Sequence, residues 1–166
     1  MKKYRPKLEL ERSETERLFD ALTIGGLVLL VALPLLHYGS LPETVPSHFG
    51  PDGQADGWSK KIVVWIIPAI GILLAVLMFY LTKIPHLYNY MQEITPKNAA
   101  QQYQRGRTLI RFFNVFDTFI FVGITWIIIK AAKDEIGAWQ AWIAPIIIAL
   151  TVIAVGYAMY MSYRKD

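Results

Sequence analysis

Apolar residues along this 166-residue chain gather into four blocks, at 18–38, 62–81, 109–129 and 139–161. Each is about 20 residues long, enough to cross a hydrocarbon core of about 30 Å as a helix. No period-two alternation competes with this pattern, and an open sheet would leave its backbone unsatisfied in lipid. The pattern predicts an all-α polytopic membrane protein, a bundle of four transmembrane helices forming one domain over 1–166. A structured loop, 39–61, is expected on one side and a second loop, 82–108, on the other. The first block follows a long mixed-charge flank, "KKYRPKLELERSETER", and no A-x-A site follows it, so it is expected to be a retained span.

Polar positions refine the elements. Residues 7–17 are expected to extend the first span as a helix, with Glu9, Glu11, Glu14 and Glu16 close to Arg12 and Arg17 at helical spacings. In "ITPKNAAQQYQRGRT", Thr95 is expected to cap a helix that has Pro96 at its first position and runs into the third span, with Gly106 as a weak point. The connection "KAAKDEIGA" is expected to be tight. Spans two and four share "WIIPAIGILLAVLMFY" and "WIAPIIIALTVIAVGY", and spans one and three open with "RLFD" and "RFFN". A duplicated helical hairpin explains the match, as does the general likeness of apolar helices. Pro68 and Pro145 read either as packing kinks or as paired hinges.

Charge then orients the bundle. Lys2, Lys3, Arg5, Lys7, Arg12 and Arg17 precede span one, and Lys83, Lys97, Arg105, Arg107 and Arg111 lie in or beside the 82–108 loop. Arg164 and Lys165 end the chain, whereas Lys60, Lys61, Lys130 and Lys133 serve the other side. Cytoplasmic sides carry the excess of Lys and Arg, so both termini and 82–108 are expected in the cytoplasm of a plasma (inner) membrane, with 39–61 outside. The net charge of +4 thus records topology and calls for lipid headgroups, not nucleic acid, as its partner. Tyr80, Tyr88, Tyr90, Tyr157, Tyr160 and Tyr163 near one boundary, and Trp58, Trp65, Trp139 and Trp142 near the other, form aromatic belts. With no cysteine, disulfides, thiolate metal sites and cysteine nucleophiles are excluded.

The outer loop "YGSLPETVPSHFGPDGQADGWSKK" has the composition of a shaped element. Pro42, Pro46 and Pro51 restrict their own and preceding dihedrals, and "PDG" at 51–53 is a turn signal with Gly53 free to take positive φ. Asp56 or Ser59 is placed to cap span two. His48, Asp52 and Asp56 recur every four residues, a usable ligand set for a divalent ion that matches neither an EF-hand nor a zincin spacing. A histidine with a carboxylate also suits a pH switch or a general base. The structural alternative gives Asp52 to the turn, Asp56 to a cap and His48 to the loop backbone. No catalytic order of nucleophile, base and acid is present, and an enzyme is not the leading expectation.

Within the third span, Asp117 lies roughly 12 Å along the helix from Leu109. An aspartate at that depth costs about 2.5–3.5 kcal/mol and turns to the bundle interior. Asn114, Thr118, Phe121 and Thr125 share a face with Asp117 at its edge, so an ion- or proton-linked site at Asn114 and Asp117 stands beside a plain interhelical hydrogen bond.

The residues Leu41, Pro42, Val45, Pro46, His48, Phe49, Gly53, Asp56, Trp58 and Lys61 resemble the pattern L-P-x-x-[IV]-P-x-H-[FW]-x-x-x-G-x-x-D-x-[WYF]-x-x-K. That pattern marks the domain of unknown function that begins the SdpI-type immunity proteins. Pro85, Asn89, Tyr90, Ile94, Thr95, Asn98, Ala99, Gln102 and Tyr103 are similar to the cytoplasmic loop of its short four-span members. His48, Asp52, Asp56 and Lys61 are the candidate ligand contacts of the outer loop, and the resemblance implies a cytoplasmic motif of Asn89, Tyr90, Asn98 and Tyr103. It also implies a non-enzymatic envelope protein that binds a peptide or small molecule outside and relays to a cytoplasmic protein, as in immunity or signalling. A small secondary transporter using Asp117, or a metal-dependent membrane enzyme using His48, Asp52 and Asp56, is the alternative. No cofactor is expected beyond that divalent metal.

Overall fold

The computed structural model describes residues 5–135, 137 and 142–163, excepting the side chains of 143, 144 and 161–163. The expectations at Lys2, Lys3, Trp139, Arg164 and Lys165 lie outside the described residues. Four α-helices and one hairpin follow in order: α1 (Glu14–His37), β1 (Thr44–Phe49), β2 (Ala55–Lys60), α2 (Ile66–Leu81), α3 (Ala99–Ala132) and α4 (Ile143–Tyr163). The protein is mostly helical. Glu14–Ser40, Lys61–Leu81 and Ala99–Ala132 are long and apolar enough to cross a membrane, and Pro145–Tyr160 is a shorter apolar helix.

The packing identifies the solvent. Glu16, Asp20, Thr23, Arg107, Arg111, Asn114, Thr118 and Thr125 are buried, while Leu18, Ile24, Val28, Leu35 and Leu36 of α1 and Ile70, Leu73, Val76, Leu77 and Leu81 of α2 are exposed. Proteins dissolved in water rarely expose apolar surface this extensive, and a lipid environment accommodates it.

α3 is the central helix, packed along α1 and α2 and meeting α4. Its buried positions, among them Tyr103, Arg107, Arg111, Asn114, Thr118 and Thr125, recur every three to four residues and form one stripe. The matching stripe of α1 runs Glu16, Asp20, Thr23, Gly26, Leu30 and Pro34. Where the two cross, a Cβ on Gly26 would lie 2.7 Å from Thr118 Cγ2. Small residues bring membrane helices this close, since lipid supplies no hydrophobic drive between them.

Several boundaries differ from expectation. α1 begins at Glu14, not near residue 7, because Ser13 and Glu16 close a reciprocal capping box. The preceding segment instead folds over the helix ends, with Arg5 donating to the Tyr88 carbonyl and Arg107 donating to the Leu10 carbonyl. α3 starts at Ala99 with Asn98 in the cap position, and Thr95 takes part through its backbone, its carbonyl accepting from Ala99 N at 2.9 Å. Gly106 does not interrupt α3. It admits Tyr88, whose ring carbons lie 3.0 and 3.1 Å from where a Cβ would stand. Pro68 and Pro145 each fall third in their helices, in the first turn, where the N–H has no intrahelical partner to lose.

The outer segment is a β-hairpin, a departure from an all-α fold. β1 and β2 pair antiparallel, with Val45 opposite Ser59 and Pro46 opposite Trp58, and the register shifts on either side of His48. Gly53 N donates to Gly50 O at 2.9 Å across Pro51 and Asp52, and Gly53 has φ 77°. That is the turn "PDG" predicts. Leu41, Val45 and Val64 bury against Ile128, Ile129 and Ala132, which ties the hairpin base to the end of α3.

Candidate functional site

Chemistry-bearing side chains collect at the two ends of α3. At the hairpin end, His48 Nδ1 and Asp56 Oδ1 are 2.5 Å apart and both side chains are exposed. Gly57 makes this possible, because a Cβ there would stand 2.9 Å from His48 Cβ. Asp56 therefore pairs across the strands instead of capping α2, whose entry is a 3-10 turn, Lys61–Trp65, led by Lys60. Asp56, Trp58 and Lys60 alternate onto the exposed side of β2. Asp52 Oδ1 accepts from Gln54 N at 3.0 Å within the turn, and it and Asp56 Oδ2 lie 2.9 and 3.3 Å from where a Cβ on Gly50 would stand. Among the described residues no three His, Cys, Asp or Glu side chains form a metal-holding group.

Lys61 Nζ donates to Glu43 Oε1 at 2.8 Å and lies 5.4 Å from the Tyr38 ring centroid. The hydrogen bond from Lys61, reinforced by its charge, lowers the Glu43 carboxyl from its ordinary value. Both residues belong to the hairpin base, so Lys61 acts there as a clamp on the chain reversal.

The other end of α3 carries a buried ionic network. Arg111 Nη1 donates to Glu16 Oε1 at 2.9 Å, and Arg111 Nε to Asp20 Oδ1 at 2.9 Å. Glu16 Oε2 accepts from Arg107 Nη2 at 3.2 Å and Gln104 Nε2 at 2.6 Å. Arg12 adds a third guanidinium to Asp20 at 3.3 Å. Glu16 is 0% exposed, and Asp20, Arg107 and Arg111 are each under a tenth exposed. Charges this deep persist only when paired and hydrogen-bonded. In the sequence, Glu16 reads as a partner within its own helix and Arg107 and Arg111 as topology markers. The signal available was a pair of acids and a pair of arginines, each at i, i+4 spacing, at the ends of two spans.

Beside this network the 82–98 segment stacks its tyrosines on α3. Tyr88, Tyr90 and Tyr103 follow one another at ring separations of 5.9 and 5.7 Å, with Arg5 5.6 Å above Tyr90. Tyr88 donates to Leu81 O and Tyr90 to Pro85 O. Burial is the main cause that pushes the Tyr88 phenol up to about 12 and raises the Tyr90 phenol as well. Asn98 is a clip, accepting from Thr95 N at 2.8 Å and donating to Glu93 O at 2.9 Å. Tyr103 is fully buried, and its hydroxyl has no hydrogen-bond partner among the described residues. Asn89 and Tyr90 line a cavity of about 670 Å³ between this segment, α1, α3 and α4.

Between the two ends, Asn114 Nδ2 donates to Ala75 O at 3.2 Å, joining α3 to α2. Thr118 and Thr125 donate to the carbonyls four residues earlier, at 2.7 and 2.8 Å. Asp117 is half-buried at the edge of that face and has no hydrogen-bond or ion-pair partner among the described residues.

Residues 25–72 match DUF1648, a domain of unknown function. The match covers the second half of α1, the whole hairpin and the start of α2, and omits the ionic network and the tyrosine stack. An uncharacterised protein of Archaeoglobus fulgidus is 33% identical over 72 residues, 43% of this chain and 39% of that protein. The chain thus spans about two-fifths of the length of that curated relative. No solved structure matches the chain. The hairpin and the adjoining parts of α1 and α2 thus lie within the DUF1648 match.

Proposed function

We propose that this protein is a four-span, non-enzymatic binding and relay protein of the SdpI-related class. Both termini and 82–108 face the cytoplasm of the plasma membrane, and the hairpin faces outward. The hairpin takes an extended peptide on its His48, Asp56 and Trp58 side, and the bound state passes inward to a cytoplasmic protein at the 82–98 segment. One observation carries this reading. A single uninterrupted helix of 34 residues, α3, is packed at one end against the hairpin core and at the other into the Glu16–Arg107–Arg111 network. At about 1.5 Å per residue such a helix links the two sites as a rigid rod over roughly 25–38 Å.

The absence of cysteine makes single-cysteine labelling clean. In intact cells Ser47→Cys reacts with a membrane-impermeant maleimide, and Met91→Cys reacts only after lysis. Labelling of Ser47→Cys only after lysis would sink the orientation. For the binding step, the deletion phenotype is rescued by the wild type and not by His48→Ala with Asp56→Ala; full rescue by that variant removes the hairpin site.

A second reading rests on Asp117, a half-buried carboxyl in a span without a partner among the described residues. Side chains of this kind mark ion paths. As a small transporter, the protein would show ion-coupled flux in proteoliposomes that Asp117→Asn abolishes.

A further inference from the structure

Two sets of aromatic rings line the cavity beside the tyrosine stack. Tyr88 rests on Gly106 of α3, and the hydroxyls of Tyr88 and Tyr90 are committed to backbone carbonyls, so this pair presents ring surface. Phe112 lies six residues further along α3, about 9 Å on, with its ring 6.1 Å from Phe19 and 6.2 Å from Tyr157. Leu109 and Ile110 line the space between the two sets. Tyr157 shares a face of α4 with the exposed Ile153 and Tyr160, so the cavity wall continues into surface that meets lipid. The volume of about 670 Å³ lies in the range of small-molecule sites.

The polar lining is neutral where it is free. Gln104 donates to Glu16, Thr108 donates to the Gln104 carbonyl, and Arg105 is engaged in an interaction of its own. The side chains of Asn89, Gln92 and Gln102 have no hydrogen-bond partner among the described residues, and each carboxamide both donates and accepts.

We infer that this cavity binds a prenylated quinone, a flat uncharged ring carrying oxygens on an isoprenoid tail. The ring lies among the aromatic sets with its oxygens toward Asn89 and Gln102, and the tail runs along Leu109 and Tyr157 into the bilayer. Flat ring faces favour stacked or edge-on aromatic partners, which a saturated acyl chain cannot supply. A quinone carbonyl accepts from a carboxamide N–H, and a quinol hydroxyl donates to a carboxamide C=O, so the same side chains hold either redox form. Charge plays no part in this selection, and no electron transfer by the chain is involved.

The test is native mass spectrometry of the full chain in dodecylmaltoside micelles holding equimolar ubiquinone-2 and farnesol, an isoprenoid alcohol without the ring. One ubiquinone-2 per chain is expected to be retained, about tenfold in preference to farnesol. Ubiquinol-2 is expected to be retained as well. Phe112→Leu keeps apolar bulk but removes a flat face, and is expected to cut the preference about fivefold. Gln102→Leu breaks no side-chain hydrogen bond among the described residues and is expected to cut it about threefold, which keeps the test decisive should Phe112→Leu fail to fold. Tyr160→Leu, on the same helix as Tyr157 but outside the lining, leaves the preference unchanged. Equal retention of ubiquinone-2 and farnesol by the wild type overturns the inference. So does retention of one redox form alone, an unchanged preference in folded Phe112→Leu or Gln102→Leu, or an equal loss in Tyr160→Leu. None of these outcomes depends on which side of the cell the segment faces.

Discussion

Arg111 holds Glu16 across the interface of α3 and α1, Nη1 to Oε1 at 2.9 Å, and both side chains are buried. Removing one member of such a pair strands the other charge. Glu16→Ala is expected to destabilise the protein by about 3–5 kcal/mol. Adding Arg107→Met to Glu16→Ala should recover part of that loss, since Glu16 is the acid partner of Arg107 among the described residues while Arg111 keeps Asp20. Unfolding in mixed micelles measures both; a double mutant worse than the sum of its singles would contradict the account.

Adjacent glycines in α1 should behave oppositely. Gly26→Ala puts a Cβ 2.7 Å from Thr118 Cγ2, so the helices must part or the threonine must shift, at about 1–3 kcal/mol. Gly25 has nothing within 4 Å of its Cβ position. Gly25→Ala is therefore expected to be neutral or to gain up to about 1 kcal/mol of helix propensity. Thermal denaturation in one detergent compares the two directly.

In the hairpin, Gly57→Ala should break the His48–Asp56 contact, because the new Cβ would stand 2.9 Å from His48 Cβ. Gly53→Ala should loosen the turn by about 1 kcal/mol, since Gly53 holds φ 77°. Amide exchange at 44–60 should rise in both variants while the exchange of α3 stays unchanged.

Two acids outside the spans give pH signatures. Lys61 lowers the Glu43 carboxyl, so the stability from that pair is present above the ordinary value of 4.5 and fades as pH falls through the lowered one. Carbon-detected titration should show Glu43 returning to its ordinary range in Lys61→Ala. The Tyr88 phenol is raised from 10.0 to about 12, so the folded state keeps a proton that the unfolded state releases. Stability should accordingly fall as pH rises from 10 through about 12, with absorbance near 295 nm following the phenol.

Hydropathy located the three long helices and proline–glycine chemistry the turn at 51–53, because both are local properties. The hairpin strands were hidden. "TVPSHF" contains a proline and "ADGWSK" a glycine, both poor strand formers, and their pairing is stabilised by burial of Leu41 and Val45 on α3. The inward face of Asn114, Thr118 and Thr125 was legible from helical spacing. The pairing of Glu16 with Arg107 and Arg111 was not, because periodicity names a face and leaves its partner open. Asn89 and Tyr90 stood out as a motif, yet the cavity they line needs α1 and α4, which no local pattern places beside them.

The same ionic network constrains how the chain is made. Glu16 and Arg107 are 91 residues apart, so at ribosomal rates of about 5–20 residues per second the acid is synthesised some 5–18 s before its base. During that interval Glu16 and Asp20 have only Arg12 and Arg17 of their own segment nearby and headgroup water around them. The first hairpin therefore docks late, once α3 has entered the bilayer, and biogenesis of this protein waits on its central helix.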